Sequence, residues 1–214
     1  IVSSSPTLDR PKAHWDSRSS ILFMMEPPKL RFEPLTPERW SDLETLFGAK
    51  GACGGCWCMT WRLTRSEFAR GKGEDNKRAL QNVVASGEAP GVLAYAGGEP
   101  IGWCAIAPRE SYPGLARSRI LSPVDEQAVW SVSCFFVAKP FRGRGITEQL
   151  LRSAVKSARS RGARIVEGYP QDLGDGKLPA PFVWTGLLPS FTKAGFKEEA
   201  RRSPKRPIMR MYLK

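Results

Sequence analysis

The sequence predicts an α/β (α+β) fold: a mixed, mostly antiparallel central sheet with one parallel crossover and helices on both faces. Three observations lead there. Residues 91–107 hold two apolar runs joined at Gly97 and Gly98, a hairpin signal. Residues 130–169 read as strand, amphipathic helix and strand, which requires a right-handed parallel crossover. Apolar runs near residues 29–34 and after Gly195 extend the sheet at both ends of the chain.

Residues 1–28 are rich in Ser and Pro, lack periodicity and end in Met24, Met25, Pro27 and Pro28. They are expected to form a poorly anchored arm or extension, with one of those methionines as the natural start. A single domain is expected over residues 29–214, because a chain of 214 residues builds one good core. Residues 29–34 read as its first strand. Thr36 is expected to N-cap a helix with Pro37 at the first helical position and Trp40, Leu43, Leu46 and Phe47 on one side. A Gly/Cys-rich loop covers residues 49–60, and a polar helix broken near Gly71 and Gly73 spans 65–85. The hairpin follows, and residues 111–129 read mostly as loop. Residues 130–137 form a strong strand. The helix over 145–161 carries Ile146, Leu150, Leu151, Ala154, Val155 and Ala158 at helical spacing, and Gly162 stops it. After the strand at 163–169, a Gly/Pro loop over 170–181 leads to a helix near 185–194. Two strands, near 196–202 and 207–213, close the chain.

Composition narrows the function. A hydrophobic fraction of 41%, with seven Trp and ten Phe, is that of a globular protein. No apolar run approaches the roughly 20 residues of a membrane span, so no membrane partner is expected. Five cysteines without an even-spaced framework or a secretion signal predict a reduced, cytoplasmic protein. The net charge is +12, and residues 138–214 carry 17 Lys/Arg against six Asp/Glu, so nearly all the excess lies there. Such a field attracts polyanions, either RNA or a phosphate-bearing cofactor. No helix-turn-helix, aromatic RNA-binding strand or zinc-finger spacing accompanies it, which disfavours a nucleic-acid partner.

The segment with the most chemistry runs from Val137 through Arg142, Gly143, Arg144, Gly145 and Ile146 to Thr147. A buried strand feeds a glycine turn that opens directly into a helix. The first helical N–H groups have no intrahelical partner and carry the positive end of the dipole. Two arginines at that end are unfavourable unless an anion sits there, and the glycines let phosphates approach. A Walker A run is absent, and the dinucleotide pattern begun at Gly143 and Gly145 meets Glu148 where its third glycine belongs.

Arg142-x-x-Gly145-x-Thr147 resembles the acyl-CoA pyrophosphate loop of GNAT acetyltransferases. The wider run FFVAKPFRGRGITEQLL is similar to their central motif, and SFTKAGF, ending at Phe196, is similar to the segment that closes their cofactor site. The resemblance implies direct transfer from acetyl-CoA to a small-molecule or peptide amine. It implies a pantetheine arm along Phe135, Phe136 and Val137, the pyrophosphate on residues 142–147, and a backbone N–H polarising the thioester carbonyl. Two positions depart from the pattern. Thr147 replaces a small residue, and Phe191 stands where many members carry the tyrosine that protonates the thiolate. Tyr169 and Ser190 are then the candidate catalytic residues. Glu110, Asp125 and Glu126 are the upstream carboxylates for the base role. A covalent route through Cys134 is disfavoured, because alternation places it with Val132 and Phe136 on one strand face as a structural thiol. Binding of acyl-CoA without transfer is the alternative that the missing tyrosine leaves open. Exposed strands near the C-terminus are compatible with a homodimer.

The loop Cys53-x-x-Cys56-x-Cys58 has metal-like spacing but lacks a second pair, and the one histidine is His14. No metal is expected. The loop reads either as a packed turn or as an aromatic wall for the acceptor. In the second reading Trp57, Trp61 and Arg62, with Trp103 on the hairpin, bind a small or carboxylate-bearing acceptor.

Overall fold

The computed structural model describes residues 29–179 and 182–214, and the arm expected over residues 1–28 lies outside them. The strands are β1 (Leu30–Pro34), β2 (Gly91–Ala96), β3 (Glu99–Pro108), β4 (Trp130–Val137), β5 (Ile165–Gly168), β6 (Lys197–Arg201) and β7 (Pro207–Tyr212). They form one sheet in the order β1-β2-β3-β4-β5-β7-β6, in which β4 and β5 make the one parallel pair. The helices are α1 (Trp40–Phe47), α2 (Arg65–Arg70), α3 (Glu74–Ala85), α4 (Pro113–Ala116), α5 (Ile146–Ser160) and α6 (Leu188–Ala194). The expected α/β architecture is therefore the observed one.

The two sheet faces bury different partners. On one face α5 lays Ile146, Leu150, Leu151, Ala154, Val155 and Ala158 against Val92, Ile106, Val132 and Val166, and α6 adds Phe191 and Ala194. That stripe is the apolar repeat read from the sequence, folded onto a sheet. On the other face α1 and α3 bring Leu43, Leu46, Phe47, Leu80 and Val84 over Leu93, Trp103, Ala105 and Cys134.

Local chemistry moves several boundaries. Thr36 is extended but makes no side-chain cap; its hydroxyl accepts from Arg39 at 3.2 Å, and a 3-10 turn over Pro37–Arg39 precedes α1. The polar helix does break between α2 and α3, where Gly73 takes a positive φ of 94°. A reciprocal capping box, Thr64 with Glu67, starts α2. The segment expected as mostly loop contains α4. The helix expected near residues 185–194 begins only at Leu188, because Gly186 has φ 86° and the preceding chain is extended, with Leu187 bridged to Gln171.

One irregularity decides what faces what. Ala105 pairs with Cys134 while Ile106 pairs with Val132, so Ser133 is an extra residue in β4. A bulge of this kind shifts the side-chain alternation. Val132 therefore shares the α5 face with Phe135 and Val137, whereas Cys134 and Phe136 face α1. The expected common face of Val132, Cys134 and Phe136 is corrected by the bulge.

Beyond Val132 the ladder to β5 ends, since β5 pairs only through Gly168. The edge-to-face rings of Phe135 and Phe191, with centroids 6.0 Å apart, pack below this parting. A Cβ on Gly168 would overlap the Phe191 ring. Gly168→Ala is thus expected to destabilise the fold by about 1–3 kcal/mol through overpacking. Chemical denaturation would measure it, and an unchanged midpoint would contradict this packing.

Candidate functional site

β4 ends at the turn singled out in the sequence. Arg142 to Gly145 are exposed, Gly143 and Gly145 hold φ of 73° and 72°, and α5 begins at Ile146 without a side-chain cap. Non-glycine residues avoid that backbone region, so the two glycines permit the turn. Its leading helical N–H groups are left to solvent or to a ligand. Arg142 ties the turn to the sheet, with Nε donating to the Val137 carbonyl at 2.8 Å. The Arg144 guanidinium lies over the Phe141 ring at 5.8 Å. Thr147 is half-buried in the first turn of α5.

Upstream, on the β4 edge freed by β5, the Phe135 N–H donates to the Trp184 carbonyl at 2.6 Å. The segment carrying Trp184, Thr185 and Gly186 therefore runs beside the bulge, and Gln171 N–H donates to the Gly186 carbonyl at 2.9 Å. Trp184 packs against Trp61 with ring centroids 5.9 Å apart. Gly114 of α4 donates its N–H to the Trp61 carbonyl at 2.8 Å. The neighbouring Arg62 faces the Tyr112 ring at 4.9 Å and donates to Glu88 at 2.5 Å. Tyr112 and Ser133 are neighbours whose hydroxyls fall short of a hydrogen bond, and burial pushes the Tyr112 phenol up to about 12 against the opposing charge of Arg62.

Of the four residues expected to contact an acceptor, the structure brings Trp61 and Arg62 to this place. Trp57 and Trp103 lie in the α1-side core. Trp57 is 5% exposed and stacks on Trp40 at 6.0 Å; Trp103 is fully buried and donates its indole N–H to Cys58 Sγ at 3.2 Å. The positive φ of Trp57 (41°) and Cys58 (55°) turns this stretch inward, a feature no residue spacing announces. Cys58 Sγ lies 3.2 Å from Cys134 Sγ, and that contact pushes the Cys58 thiol well up. Both thiols are buried. Among the described residues no three His, Cys, Asp or Glu side chains are arranged to hold a metal ion.

Tyr169 and Ser190 have separate surroundings. Ser190 is half-buried in the first turn of α6, while Phe191 beside it is fully buried against Phe135 and Phe196. Tyr169 is fully buried, and its hydroxyl donates to Glu167 at 2.7 Å, lies 2.8 Å from Ser131 Oγ and is met by Arg109. Burial, reinforced by the Glu167 carboxylate, holds its pKa well above the usual phenol value. The phenol thus belongs to a buried charge network. Glu167 also accepts from Arg109 at 2.8 Å and from Arg210 Nε at 2.7 Å, and Arg210 reaches Asp125 at 2.6 Å. That bond to Arg210 holds the Asp125 carboxyl well below the usual carboxylate range. Glu110 lines a cleft with Trp130 and Arg164, and Glu126 is exposed. Sequence reasoning missed Tyr112, Ser133, Trp184 and Thr185; only turn residues at Pro113, Gly114 and Gly186 hint that these segments fold back.

A mixed sheet with one parallel crossover, whose crossover helix opens on an exposed glycine turn, is the arrangement that the resemblance to acyltransferases implies. A model of the Acetyltransferase (GNAT) family matches residues 57–171, more than half of the chain, and the protein belongs to this family. Among solved structures it is similar to an N-acetyltransferase from Staphylococcus aureus Mu50, at 13% identity over 87% of this chain and 99% of that chain, with a TM-score of 0.51. It is also similar to a ribosomal-protein-alanine N-acetyltransferase from Brucella melitensis, at 16% identity, 86% and 99% coverage and a TM-score of 0.49. A GNAT family acetyltransferase from the same organism, in complex with acetyl-CoA, aligns at 14% identity, 87% and 89% coverage and a TM-score of 0.45. At these identities the likeness is one of fold. No curated protein sequence matches the chain. No helix among the described residues is long and apolar enough to cross a membrane.

Proposed function

We propose that the protein transfers an acetyl group from acetyl-CoA to an amine by direct attack. The observation that carries this reading is the exposed glycine turn at residues 142–147, with two arginines and an uncapped helix start at the end of β4. Membership of the acetyltransferase family supports the same chemistry. The pyrophosphate would be held by the leading N–H groups of α5 and by Arg142 and Arg144, charge-assisted contacts of the strong kind. The pantetheine arm would follow the free edge of β4 toward the bulge. The Phe135 N–H already holds a carbonyl there, that of Trp184, so acyl-donor binding would exchange one carbonyl partner for another.

In the reaction the acceptor nitrogen attacks the thioester carbonyl carbon, the C–S bond breaks, and coenzyme A leaves as a thiol once a proton has been supplied. A backbone N–H aimed at the carbonyl oxygen stabilises the charge that develops on it. Phe135 is the donor best placed to do so. The Tyr169 hydroxyl is fully buried and engaged by Glu167 and Ser131, and Phe191 presents no hydroxyl. The proton returned to the thiolate would then come from Ser190, from solvent or from the acceptor nitrogen itself.

Release of free thiol from acetyl-CoA, followed with and without added amines, tests the proposal. Amine-dependent thiol release with an acetylated product in equal amount is the expected result. Acetyl-CoA binding without transfer to any amine would favour a non-catalytic acyl-CoA-binding protein.

A further inference from the structure

Six buried side-chain N or O atoms among the described residues have no hydrogen-bond partner, and four of them belong to residues of the segments that meet around the β4 bulge: Trp61 Nε1, Tyr112 OH, Ser133 Oγ and Thr185 Oγ1. The residues are linked through packed neighbours and along the chain. Tyr112 neighbours Ser133, Trp61 packs on Trp184, and Thr185 follows the residue whose carbonyl is bonded to Phe135. Tyr112, Ser133 and Thr185 are each 1% exposed. A buried polar group left unpaired costs roughly 1–3 kcal/mol, so four around one bulge point to a ligand that meets them.

The charge around the cluster limits that ligand. Arg62 and Glu88 face it as a closed ion pair. Tyr112 stays protonated at neutral pH, as does the buried thiol of Cys58. Cys134, the next thiol, accepts a bond from Cys58. Glu167, Arg109 and Arg210, beyond Ser131, are bonded to one another through Glu167. An aliphatic amine, with a pKa of about 10, arrives protonated and must lose that proton before it can attack. The carboxylate nearest the cluster, Glu88, is already engaged by Arg62, and Glu167 by Arg109 and Arg210, so no unpaired base faces it among the described residues.

From this geometry we infer that the acceptor is a weakly basic aromatic amine, neutral at physiological pH and carrying a polar group for the orphaned hydroxyls. The inference rests on the acetyl transfer proposed above. The rings of Trp61 and Trp184 give the aromatic acceptor its wall. Its nitrogen lone pair, conjugated with the ring, is unprotonated and attacks without a base; the N–H proton it sheds on forming the amide leaves with the thiol of coenzyme A. Tyr112 and Thr185 determine specificity by positioning the polar group.

Thiol release by the full chain with acetyl-CoA is measured against 4-aminobenzamide, aniline, phenethylamine and spermidine. At pH 7, kcat/KM for 4-aminobenzamide should exceed that for phenethylamine by about tenfold or more. Phenethylamine should gain on it as pH rises toward 10. Tyr112→Phe and Thr185→Val should each lower kcat/KM for 4-aminobenzamide by about tenfold, the value of one hydrogen bond, while leaving aniline and the acetyl-CoA Kd unchanged. A purely structural role would move both amines together. Preference for phenethylamine or spermidine at pH 7 overturns the acceptor class and leaves acetyl transfer standing. Binding of acetyl-CoA with no amine turned over overturns both.

Discussion

Replacing Glu167 with alanine is expected to destabilise the protein by about 3–5 kcal/mol, because it leaves the largely buried Arg109 guanidinium without a carboxylate and Arg210 with one of its two. The side chain of Glu167 is 1% exposed and bonds to Arg109, Arg210 and Tyr169. Arg210 is as deeply buried and would retain Asp125, but Arg109 would be left with Tyr169 and the Leu121 carbonyl. For a chain of this size each kcal/mol moves Tm by roughly 2–4 °C, so a fall of about 6–20 °C is expected. Thermal unfolding followed by circular dichroism gives the answer. A Tm within about 2 °C of the parent would mean that the network is not closed as described.

The second large effect concerns the glycine turn. Arg142→Ala combined with Arg144→Ala should weaken acetyl-CoA binding by about 100-fold or more, since each charge-assisted contact is worth about 1.5–3 kcal/mol. Both side chains are exposed, so the far-ultraviolet spectrum should not change. Arg142 also braces the turn through the Val137 carbonyl, and Arg144→Ala alone separates lost charge from a loosened turn. The single variant should lose about tenfold. Affinity equal to the parent in the double variant would remove the turn from the phosphate site.

What the sequence made legible was what depends on local chemistry. The stripe from Ile146 to Ala158 has a helical period, and it folded as a helix on a sheet. Gly143 and Gly145 lie at positive φ, as a turn entering a helix requires. The hairpin at Gly97 and Gly98 formed for the same reason. What stayed hidden depends on distant partners. The bulge at Ser133 exists only as a register between β4 and β3, and it moved Cys134 and Phe136 to the face opposite Val132. Trp57 and Trp61 look alike in a Gly/Cys-rich loop. Positive φ at Trp57 and Cys58 buries the first, while Trp184 meets the second from 123 residues further along the chain. Tyr169 reads as a free phenol at a strand end until Glu167, Ser131 and Arg109 close around it.

The acyl donor is the point on which the whole account turns. Calorimetric titration of the purified protein with acetyl-CoA tests it directly. Saturable one-to-one binding in the micromolar range, lost in the Arg142→Ala/Arg144→Ala variant, is the predicted result. An absence of heat and of competition at millimolar acetyl-CoA would contradict it and leave the basic C-terminal third to be explained by another polyanion.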